Sequence, residues 1–136
     1  MAEKSILVEI VTPVRKVFSD KCNAFFAPGA LGYFEILFNH APYIVTLQIG
    51  EIKIVKGNEV KHFSTSGGYC EVLENHIIIL AETAEASSEI DLERAIRSKE
   101  RAEKRLKERK PDIDVERAKA SLLRAINRIR VAERGR

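Results

Sequence analysis

Residues 90–95 read Ile-Asp-Leu-Glu-Arg-Ala, and these letters return with a single change at residues 113–118 as Ile-Asp-Val-Glu-Arg-Ala. In each copy an Asp precedes a helix-forming run with a Glu two places on, which is typical of an N-cap followed by an acidic first turn. The Ile before each Asp can pack as a hydrophobic staple on the Ala of the same copy. The repeat therefore predicts two helices with matching starts, separated at Pro111, which cannot continue a helix. The simplest arrangement is an antiparallel two-helix hairpin.

Alanine recurs at seven-residue spacing along both predicted helices, so the two helices can approach closely along one seam. Alanines bury little apolar surface, whereas each ordered residue costs about 1–2 kcal/mol of backbone entropy. We therefore expect the hairpin to be marginal alone and to lean on the rest of the chain, a ligand or a partner. An element so close to balance is suited to switching. The alanines are Ala95 and Ala102 in the first helix and Ala118, Ala125 and Ala132 in the second.

The chain before the hairpin carries short runs rich in Val, Ile and Phe, separated by turn residues. Many such strands, each needing to bury one face, predict a β-sandwich or barrel. Alternation on both sides of Gly57 and Asn58 predicts a tight hairpin whose charged face lies in water. Residues 77–80, Ile-Ile-Ile-Leu, do not alternate, which predicts an inner strand covered on both faces. The predicted strands are residues 6–11, 22–27, 43–47, 52–55, 60–64, 69–73 and 76–80.

The composition changes sharply after the last predicted strand. No Gly occurs between Gly68 and Gly135, and the polar segment 82–89 is typical of a linker. We therefore expect a strand domain at residues 1–84 and a helical domain at residues 85–136. The first carries 7 Lys and Arg against 9 Asp and Glu, a net charge of −2, and the second carries 16 against 11, a net charge of +5. The helical end is the basic end.

Sequence patterns of catalytic and metal sites are absent from this chain, since it has no Gly-rich P-loop, no GxSxG and no HExxH. The three histidines, His40, His62 and His76, fall on different strands or turns with no obvious acid partner. We expect neither catalytic residues nor a metal site. Cys22 and Cys70 lie far apart without a CxxC pattern, which favours buried thiols in a reducing compartment.

The N-terminal sequence MAEKSILVEIV contains an acid at Glu3 and only a short apolar run. It fits neither a signal peptide nor a membrane-spanning helix. With 136 residues, 45% apolar and 32% charged, the chain is within the range of one domain, or of one small domain with an appendage. We expect it in the cytoplasm, or on a membrane only through a partner.

The arginines of the hairpin fall into two pairs, each on one helix face. Arg94 and Arg101 are seven apart, and Arg124 and Arg128 are four apart. In an antiparallel hairpin the four guanidiniums could converge into a phosphate site, because Arg binds phosphate oxygens bidentately. The alternative is a solvated charged face with Glu partners. A surface for RNA is a further alternative, but the hairpin has no aromatic residue to stack on bases, so we expect no nucleic-acid partner.

The order of these motifs resembles the epsilon-subunit family of bacterial rotary ATP synthases. The resemblance rests on Asn-His-Ala-Pro at residues 39–42, Ser-Gly-Gly-Tyr-Cys-Glu-Val at 66–72, Leu-Ala-Glu-Thr-Ala at 80–84, and the repeat at 90–95 with a second helix after it. It covers essentially the whole chain. One departure is at residues 35–42, where the chain has Glu-Ile-Leu-Phe-Asn-His-Ala-Pro and the family usually has Gly-Ile-Leu-Pro-Gly-His-Ala-Pro. In the family this turn lies near the ring of membrane c subunits.

The resemblance implies a ten-stranded β-sandwich followed by an antiparallel two-helix hairpin. It implies a non-catalytic subunit of the central stalk, docked on the gamma subunit and the c-ring, which couples proton-driven ring rotation to gamma. Such a subunit lies peripherally on the cytoplasmic face of the bacterial membrane and needs no cofactor. The hairpin can fold on the sandwich or extend along gamma into the alpha/beta hexamer, where its basic face blocks ATP hydrolysis. A net charge of +5 suits an acidic partner.

In some bacterial members the folded hairpin binds ATP through an I/L-D-x-x-R-A motif, an upstream Glu and three further arginines. The matching residues imply that ATP is a regulatory ligand which stabilises the folded hairpin. In that case the arginines hold phosphates, and the two acids position the base or ribose. The alternative is a purely structural coupling subunit without a nucleotide site. The matching residues are Ile90, Asp91, Arg94 and Ala95 for the motif, Glu85 for the acid, and Arg101, Arg124 and Arg128 for the arginines.

Overall fold

The computed structural model describes residues 4–134, which form ten strands, a short 3-10 helix and two α-helices. The predicted ten-stranded β-sandwich followed by an antiparallel two-helix hairpin is confirmed. The 3-10 helix is Ser87–Glu89, and the α-helices are α1 Leu92–Glu108 and α2 Val115–Arg134. The strands are β1 Ile6–Val11, β2 Lys16–Cys22, β3 Ala24–Gly29, β4 Gly32–Leu37, β5 Tyr43–Leu47, β6 Gly50–Lys56, β7 Glu59–Thr65, β8 Gly68–Leu73, β9 His76–Ala81 and β10 Ala84–Ala86.

The strands follow the order β10-β7-β6-β3-β5-β8-β9-β1-β2, with β4 beside β3. Within residues 4–134 every pairing is antiparallel except that of β1 with β9. The sheet encloses a single core because alternate residues of most strands point inward. Ile6 and Ile10 of β1 and Ile77 and Ile79 of β9 are fully buried in it, together with Phe25 of β3.

The hairpin predicted around Gly57 is confirmed. Strands β6 and β7 pair up to Lys56 and Glu59, and Gly57 takes the positive φ of 59° that this tight turn requires. The prediction that the charged face lies in water is wrong for Glu51, whose side chain is 11% exposed. The end of α2 lies beside it, with Arg134 Nε 3.4 Å from the Glu51 carboxylate. The second domain therefore covers part of this face.

The prediction for residues 77–80 is half wrong. Strand β9 is an inner strand, lying between β8 and β1, but only its Ile77 and Ile79 face is buried. Leu80 on the other face is 56% exposed. The run of apolar residues 77–80 therefore does not mean burial on both faces. Ile78 and Leu80 lie on the outer face of the sheet, where Leu80 is exposed.

Strands β2, β4 and β10 were not expected from the pattern, and the strand predicted at residues 22–27 divides at Asn23. The Asn23 Oδ1 atom accepts a hydrogen bond from Gly57 N at 2.7 Å. The segment 82–89, predicted as a linker, contains β10, which pairs with β7, and the 3-10 helix.

The matching helix starts are confirmed. The Asp91 side chain accepts a hydrogen bond from Arg94 N at 3.1 Å, and Asp114 does the same from Arg117 N at 3.0 Å. Helix α1 ends when Arg109 adopts a left-handed conformation with φ 44°, two residues before Pro111.

The alanine seam is confirmed, because all five alanines are 3% exposed or less. The hairpin also rests on the sandwich, as expected. Within the helical domain itself, Ile90, two residues before α1, is buried in a cluster with Val131 and Ala132 of α2. Asn127 of α2 is 6% exposed and donates from Nδ2 to Gly50 O at 2.7 Å. Among residues 4–134, neither helix combines the length and the apolar character needed to cross a bilayer.

Candidate functional site

A half-open cavity of about 450 Å³ lies between the sandwich and the hairpin. Its volume is within the range of small-molecule sites, roughly 300–1,000 Å³. The sandwich contributes the turn between β1 and β2 and the chain entering β10, and the hairpin contributes one face of each helix. The polar lining residues include Thr12, Arg15, Glu82, Thr83 and Glu85 from the sandwich side and Ser98, Ser121, Arg124 and Arg128 from the helices.

Glu85 and Arg128 meet across this cavity. Arg128 Nε lies 2.7 Å from Glu85 Oε1, and Arg128 Nη2 lies 3.1 Å from Oε2, so the guanidinium binds the carboxylate in a bidentate, two-point geometry. The two side chains are 27% and 31% exposed. Partial burial and two-point geometry make this pair stronger than a single surface ion pair. It joins β10 directly to α2.

Arg124 lies one turn before Arg128 on α2 and also lines the cavity. Its side chain has no hydrogen-bond or ion-pair partner among residues 4–134. Ser98 of α1 and Ser121 of α2 add hydroxyl groups to the same wall. The helix side of the cavity therefore offers an unpaired guanidinium and two hydroxyls, a donor set suited to an anion.

The other predicted ligand residues lie outside the cavity lining. Arg101 donates from Nη2 to Ser98 Oγ at 3.0 Å, so it reaches the cavity wall only through that serine. Asp91 uses its carboxylate to cap α1, and Arg94 supplies the amide that it binds. Ile90 and Ala95 are buried, with Ala95 in the alanine seam. The structure thus brings Glu85, Arg124 and Arg128 together at the cavity and places Ile90, Asp91, Arg94, Ala95 and Arg101 around the start and middle of α1.

The cavity also contains residues that the sequence did not single out. The turn between β1 and β2 brings Thr12 and Arg15 to its rim. Arg15 Nη2 lies 3.0 Å from Glu89 Oε2 in the 3-10 helix. No spacing pattern links position 15 to position 124, since only the tertiary fold brings them to one cavity. Only a weak indication in the sequence pointed to a role for Arg15 at the cavity, namely a cation next to a Pro-containing turn.

The β10 side of the cavity is held by the turn between β7 and β8. Thr65 Oγ1 donates to Thr83 O at 3.0 Å, and Thr83 Oγ1 donates to Ser66 Oγ at 2.7 Å. Gly68, the first residue of β8, has φ 139°, and a Cβ there would lie 2.1 Å from Leu80 O. Only glycine fits at that position. The turn therefore acts as a support for the cavity wall and does not itself line the cavity.

The expectation that the histidines lack acid partners is wrong for two of them. His62 Nδ1 is hydrogen-bonded to Glu51 Oε1, and His76 Nε2 lies 3.2 Å from Glu9 Oε2. The hydrogen bond from His76 is the main cause that lowers the pKa of Glu9 below its ordinary value. Sequence spacing could not reveal the Glu9–His76 pair, because its two strands are distant in sequence, whereas Glu51 and His62 lie on the two strands of the hairpin that the sequence predicted. Neither pair lines the cavity.

Both cysteines are buried thiols, as predicted. Burial raises the pKa of Cys22 to about 11 and that of Cys70 to about 12. At neutral pH both therefore remain protonated and unreactive.

A second surface lies on the outer face of strands β5, β8, β9 and β1. Tyr69 and Leu80 sit opposite each other in the β8–β9 pairing and are both exposed. Ile44 of β5 and Leu73 of β8 extend the exposed apolar area. We call Ile44, Tyr69, Leu73 and Leu80 the outer apolar face. Glu71, which pairs with Ile44, lies on the same face between Tyr69 and Leu73. Exposed large apolar side chains grouped on one sheet face, with polar residues among them, are typical of surfaces that a partner covers.

Two family models match the chain and together cover most of it. The model described as the ATP synthase delta/epsilon chain, beta-sandwich domain, matches residues 5–87. The model described as the ATP synthase delta/epsilon chain, long alpha-helix domain, matches residues 88–133. Their junction lies in the 3-10 helix, directly before α1.

Two bacterial relatives are similar over nearly their full length. The ATP synthase epsilon chain of Syntrophomonas wolfei is 46% identical over 135 residues, covering 98% of this chain and 98% of the relative. That of Desulforamulus reducens is 43% identical over 130 residues, covering 96% and 98%.

Solved structures share the fold at low sequence identity. A chain in the mitochondrial ATP synthase of Euglena gracilis, solved as OSCP/F1/c-ring, has a TM-score of 0.70 at 17% identity, over 98% of this chain and 80% of that one. A chain in the central stalk/c-ring of the Tetrahymena thermophila mitochondrial enzyme has a TM-score of 0.59 at 17% identity, over 99% and 98%. With both family models and the full-length relatives in agreement, this chain belongs to the ATP synthase delta/epsilon family as an epsilon chain, a non-catalytic subunit of the stalk.

Proposed function

We propose that this chain couples rotation of a c-ring to a gamma subunit in a bacterial ATP synthase, that its hairpin restrains ATP hydrolysis, and that ATP bound in the cavity keeps the hairpin folded. The observation that carries the regulatory part is the cavity itself. It is built from both domains and carries the unpaired Arg124 beside the Arg128–Glu85 pair. A ligand there would hold the domains together.

The coupling role is supported by the outer apolar face. Tyr69 and Leu80, which are 60% and 56% exposed, call for a partner that covers them, and we assign the gamma subunit to this face. The solved chains of similar fold come from assemblies that contain F1 or the central stalk together with the c-ring. Through such an assembly the chain would be held peripherally on the cytoplasmic face of the bacterial plasma membrane.

The end of the sandwich that we assign to the c-ring carries the turn in which the sequence departs from the family. Asn39 takes φ 63°, a conformation that Asn tolerates better than other non-glycine residues. The backbone N–H of Asn39 donates to Asn75 Oδ1 at 2.6 Å, and Asn75 Nδ2 donates to Asn39 Oδ1 at 3.1 Å. This reciprocal pair fixes the turn where the family usually has glycine.

The inhibitory role is supported by the charge of the hairpin and by the way it docks. Residues 85–136 carry a net charge of +5, which suits the acidic surfaces proposed for the alpha/beta hexamer. In the folded state α2 is held by Arg128–Glu85, Arg134–Glu51 and Asn127–Gly50 together with the Ile90 cluster. These contacts can be exchanged for contacts in an extended state.

ATP would shift this equilibrium by mass action. A ligand that binds only the folded hairpin stabilises it by about 2.7 kcal/mol at a hundredfold excess over its Kd. We assign phosphate contacts to Arg124 and Arg128 and, after a local rearrangement, to Arg94 and Arg101. Glu85 and Asp91 would position the base or ribose, and Ile90 and Ala95 would shape the start of α1 around the ligand.

A purely structural subunit without a nucleotide site is the second candidate. It is favoured by the Glu85 carboxylate, which already satisfies Arg128, and by the use of Asp91 as a helix cap. In this case the cavity is a gap between two docked domains, and the position of the hairpin depends on gamma and the proton gradient.

Calorimetric titration of the complete chain with ATP separates the two candidates. We expect saturable binding in the micromolar to millimolar range that is lost in Arg124→Ala. Arg130→Ala is the matched control, since Arg130 is an exposed arginine of the same helix that does not line this cavity. ADP and a short RNA serve as comparators. No heat at several millimolar ATP would leave the structural subunit as the function.

A further inference from the structure

We infer that Arg15, in the turn between β1 and β2, is a phosphate-binding residue of the cavity, so that the bound nucleotide bridges the sandwich and the hairpin. This inference rests on the proposed nucleotide site. It adds a contact from the first turn of the chain, outside the hairpin and outside the Asp-x-x-Arg-Ala pattern. The cavity lining places Arg15 on the sandwich side and Arg124 on the helix side of the same space.

The turn presents Arg15 from a fixed backbone. Thr12 N donates to Arg15 O at 2.9 Å, and Thr12 Oγ1 donates to the same carbonyl at 3.1 Å. Arg15 N donates back to Thr12 Oγ1 at 3.3 Å, and Pro13 restricts the chain between them. Three hydrogen bonds therefore close a four-residue turn. A cation held on so short a turn loses little backbone entropy when it binds a ligand.

The present partner of Arg15 is one that a phosphate can replace. Arg15 and Glu89 form a single contact of 3.0 Å, and their side chains are 49% and 47% exposed. Exposed single-contact pairs contribute little free energy. A phosphate offers more oxygen atoms and more negative charge to the same guanidinium. Glu89 and a phosphate would therefore compete for the Arg15 guanidinium.

The two glutamates differ in how firmly they hold their arginines. Glu85 binds Arg128 at two points in a partly buried setting, whereas Glu89 binds Arg15 at one point near water. A phosphate would therefore replace Glu89 at Arg15 more easily than it would replace Glu85 at Arg128. A phosphate lying between Arg15 and Arg124 would be bound by one cation from each domain, which explains how a ligand of the cavity stabilises docking of the whole hairpin.

A double-mutant cycle on the complete chain tests this inference by calorimetry. The variants are Arg15→Ala, Glu89→Gln and the double variant, with ATP, AMP and inorganic pyrophosphate as ligands. We expect Arg15→Ala to weaken ATP binding about five- to tenfold and AMP binding less, because AMP has fewer phosphates. Glu89→Gln should tighten ATP binding about two- to fivefold, and this gain should vanish in the Arg15→Ala background. Arg15→Lys should give an intermediate affinity.

Two controls separate local from general effects. Lys16→Ala removes the neighbouring cation, which pairs with Glu9 and does not line the cavity, so ATP affinity should stay within about twofold of the wild type. Glu82→Gln removes a carboxylate that lines the cavity and has no contact with Arg15 in the structure, so any change it causes should be equal with and without Arg15. Thermal melting without ligand reports whether each variant is folded.

The possible results separate a failure of the Arg15 contact from a failure of the nucleotide site. An ATP affinity unchanged in folded Arg15→Ala would overturn the inference and leave the proposed nucleotide site intact. If Glu89→Gln tightened ATP binding equally in the Arg15→Ala background, Glu89 would not be competing with the phosphate for Arg15. Absence of ATP binding by the wild type would overturn the proposed site and the inference together. Pyrophosphate binding as tightly as ATP, with the same dependence on Arg15, would support Arg15 as a phosphate ligand and overturn ATP as the ligand.

Discussion

Arg128 and Glu85 form a two-point ion pair between α2 and β10, with N–O distances of 2.7 and 3.1 Å. Arg128→Ala should lower the stability of the docked hairpin by about 1–2 kcal/mol, because the partly buried Glu85 loses both charged hydrogen bonds. Native-state hydrogen exchange of the α2 amides measures this loss directly. Arg130→Ala on the same helix is the control and should leave protection nearly unchanged. Equal loss of protection in both variants would show that the pair does not hold the hairpin.

Asn127 is the buried polar contact between α2 and the sandwich. Asn127→Ala should cost about 1–3 kcal/mol, because the 2.7 Å hydrogen bond to Gly50 O is lost. Asn127→Asp should cost more, since it places a carboxylate oxygen against a carbonyl oxygen in a buried site. Urea denaturation followed by helix circular dichroism gives the ranking. Leu123→Ala, at an exposed position of α2, is the control. An Asp variant as stable as the wild type would contradict the assigned contact.

The alanine seam sets how closely α1 and α2 approach. Ala102 is 1% exposed, and Ala102→Leu should destabilise the hairpin by about 1–3 kcal/mol through overpacking. Leu and Ala are both good helix formers, so helix propensity alone predicts a much smaller effect. Small-angle X-ray scattering should show an expanded chain as the hairpin loosens. Glu103→Leu, one residue further on an exposed position, should retain the wild-type dimensions.

The Glu9–His76 contact makes stability depend on pH in the acid range. The folded-state pKa of Glu9 lies below its ordinary value of 4.5, so the unfolded chain binds a proton more readily. The stabilisation is therefore fully present above about pH 4.5 and is lost as the pH falls through the lower folded-state pKa. Glu9→Gln should flatten this part of the profile. Urea midpoints at several pH values between neutral and strongly acidic measure it, and Glu35→Gln, at an exposed position, should keep the wild-type slope.

The sequence predicted those features whose causes are local. Two Asp caps fixed the starts of α1 and α2, alanine spacing predicted the seam, and Gly57 marked the β6–β7 turn. Each depends on neighbouring residues or on one periodicity. For the same reason the fold class could be predicted.

The features that were missed have causes that are distant in sequence. Strand β2 carries charges on an edge of the sheet, and β10 has only three residues with no pattern of their own. Their strand geometry comes from pairing with β1 and β7. Arg15 reaches the cavity for a similar reason, because a turn near the N-terminus is placed beside a helix more than a hundred residues later. The outer face of β9 looked like core because the sequence cannot say which molecule covers an apolar surface.

The parallel pairing of β1 with β9 has a consequence for synthesis of the chain. Leu7 pairs with His76, 69 residues later, so β1 has only β2 beside it while most of the sandwich is still being made. At roughly 5–20 residues per second this delay lasts several seconds, far longer than a hairpin needs to form. During that time the inward side chains of β1, among them Val8 and Ile10, are an open target for chaperones or for neighbouring nascent chains. The parallel pairing of β1 therefore cannot form until β9 has been synthesised.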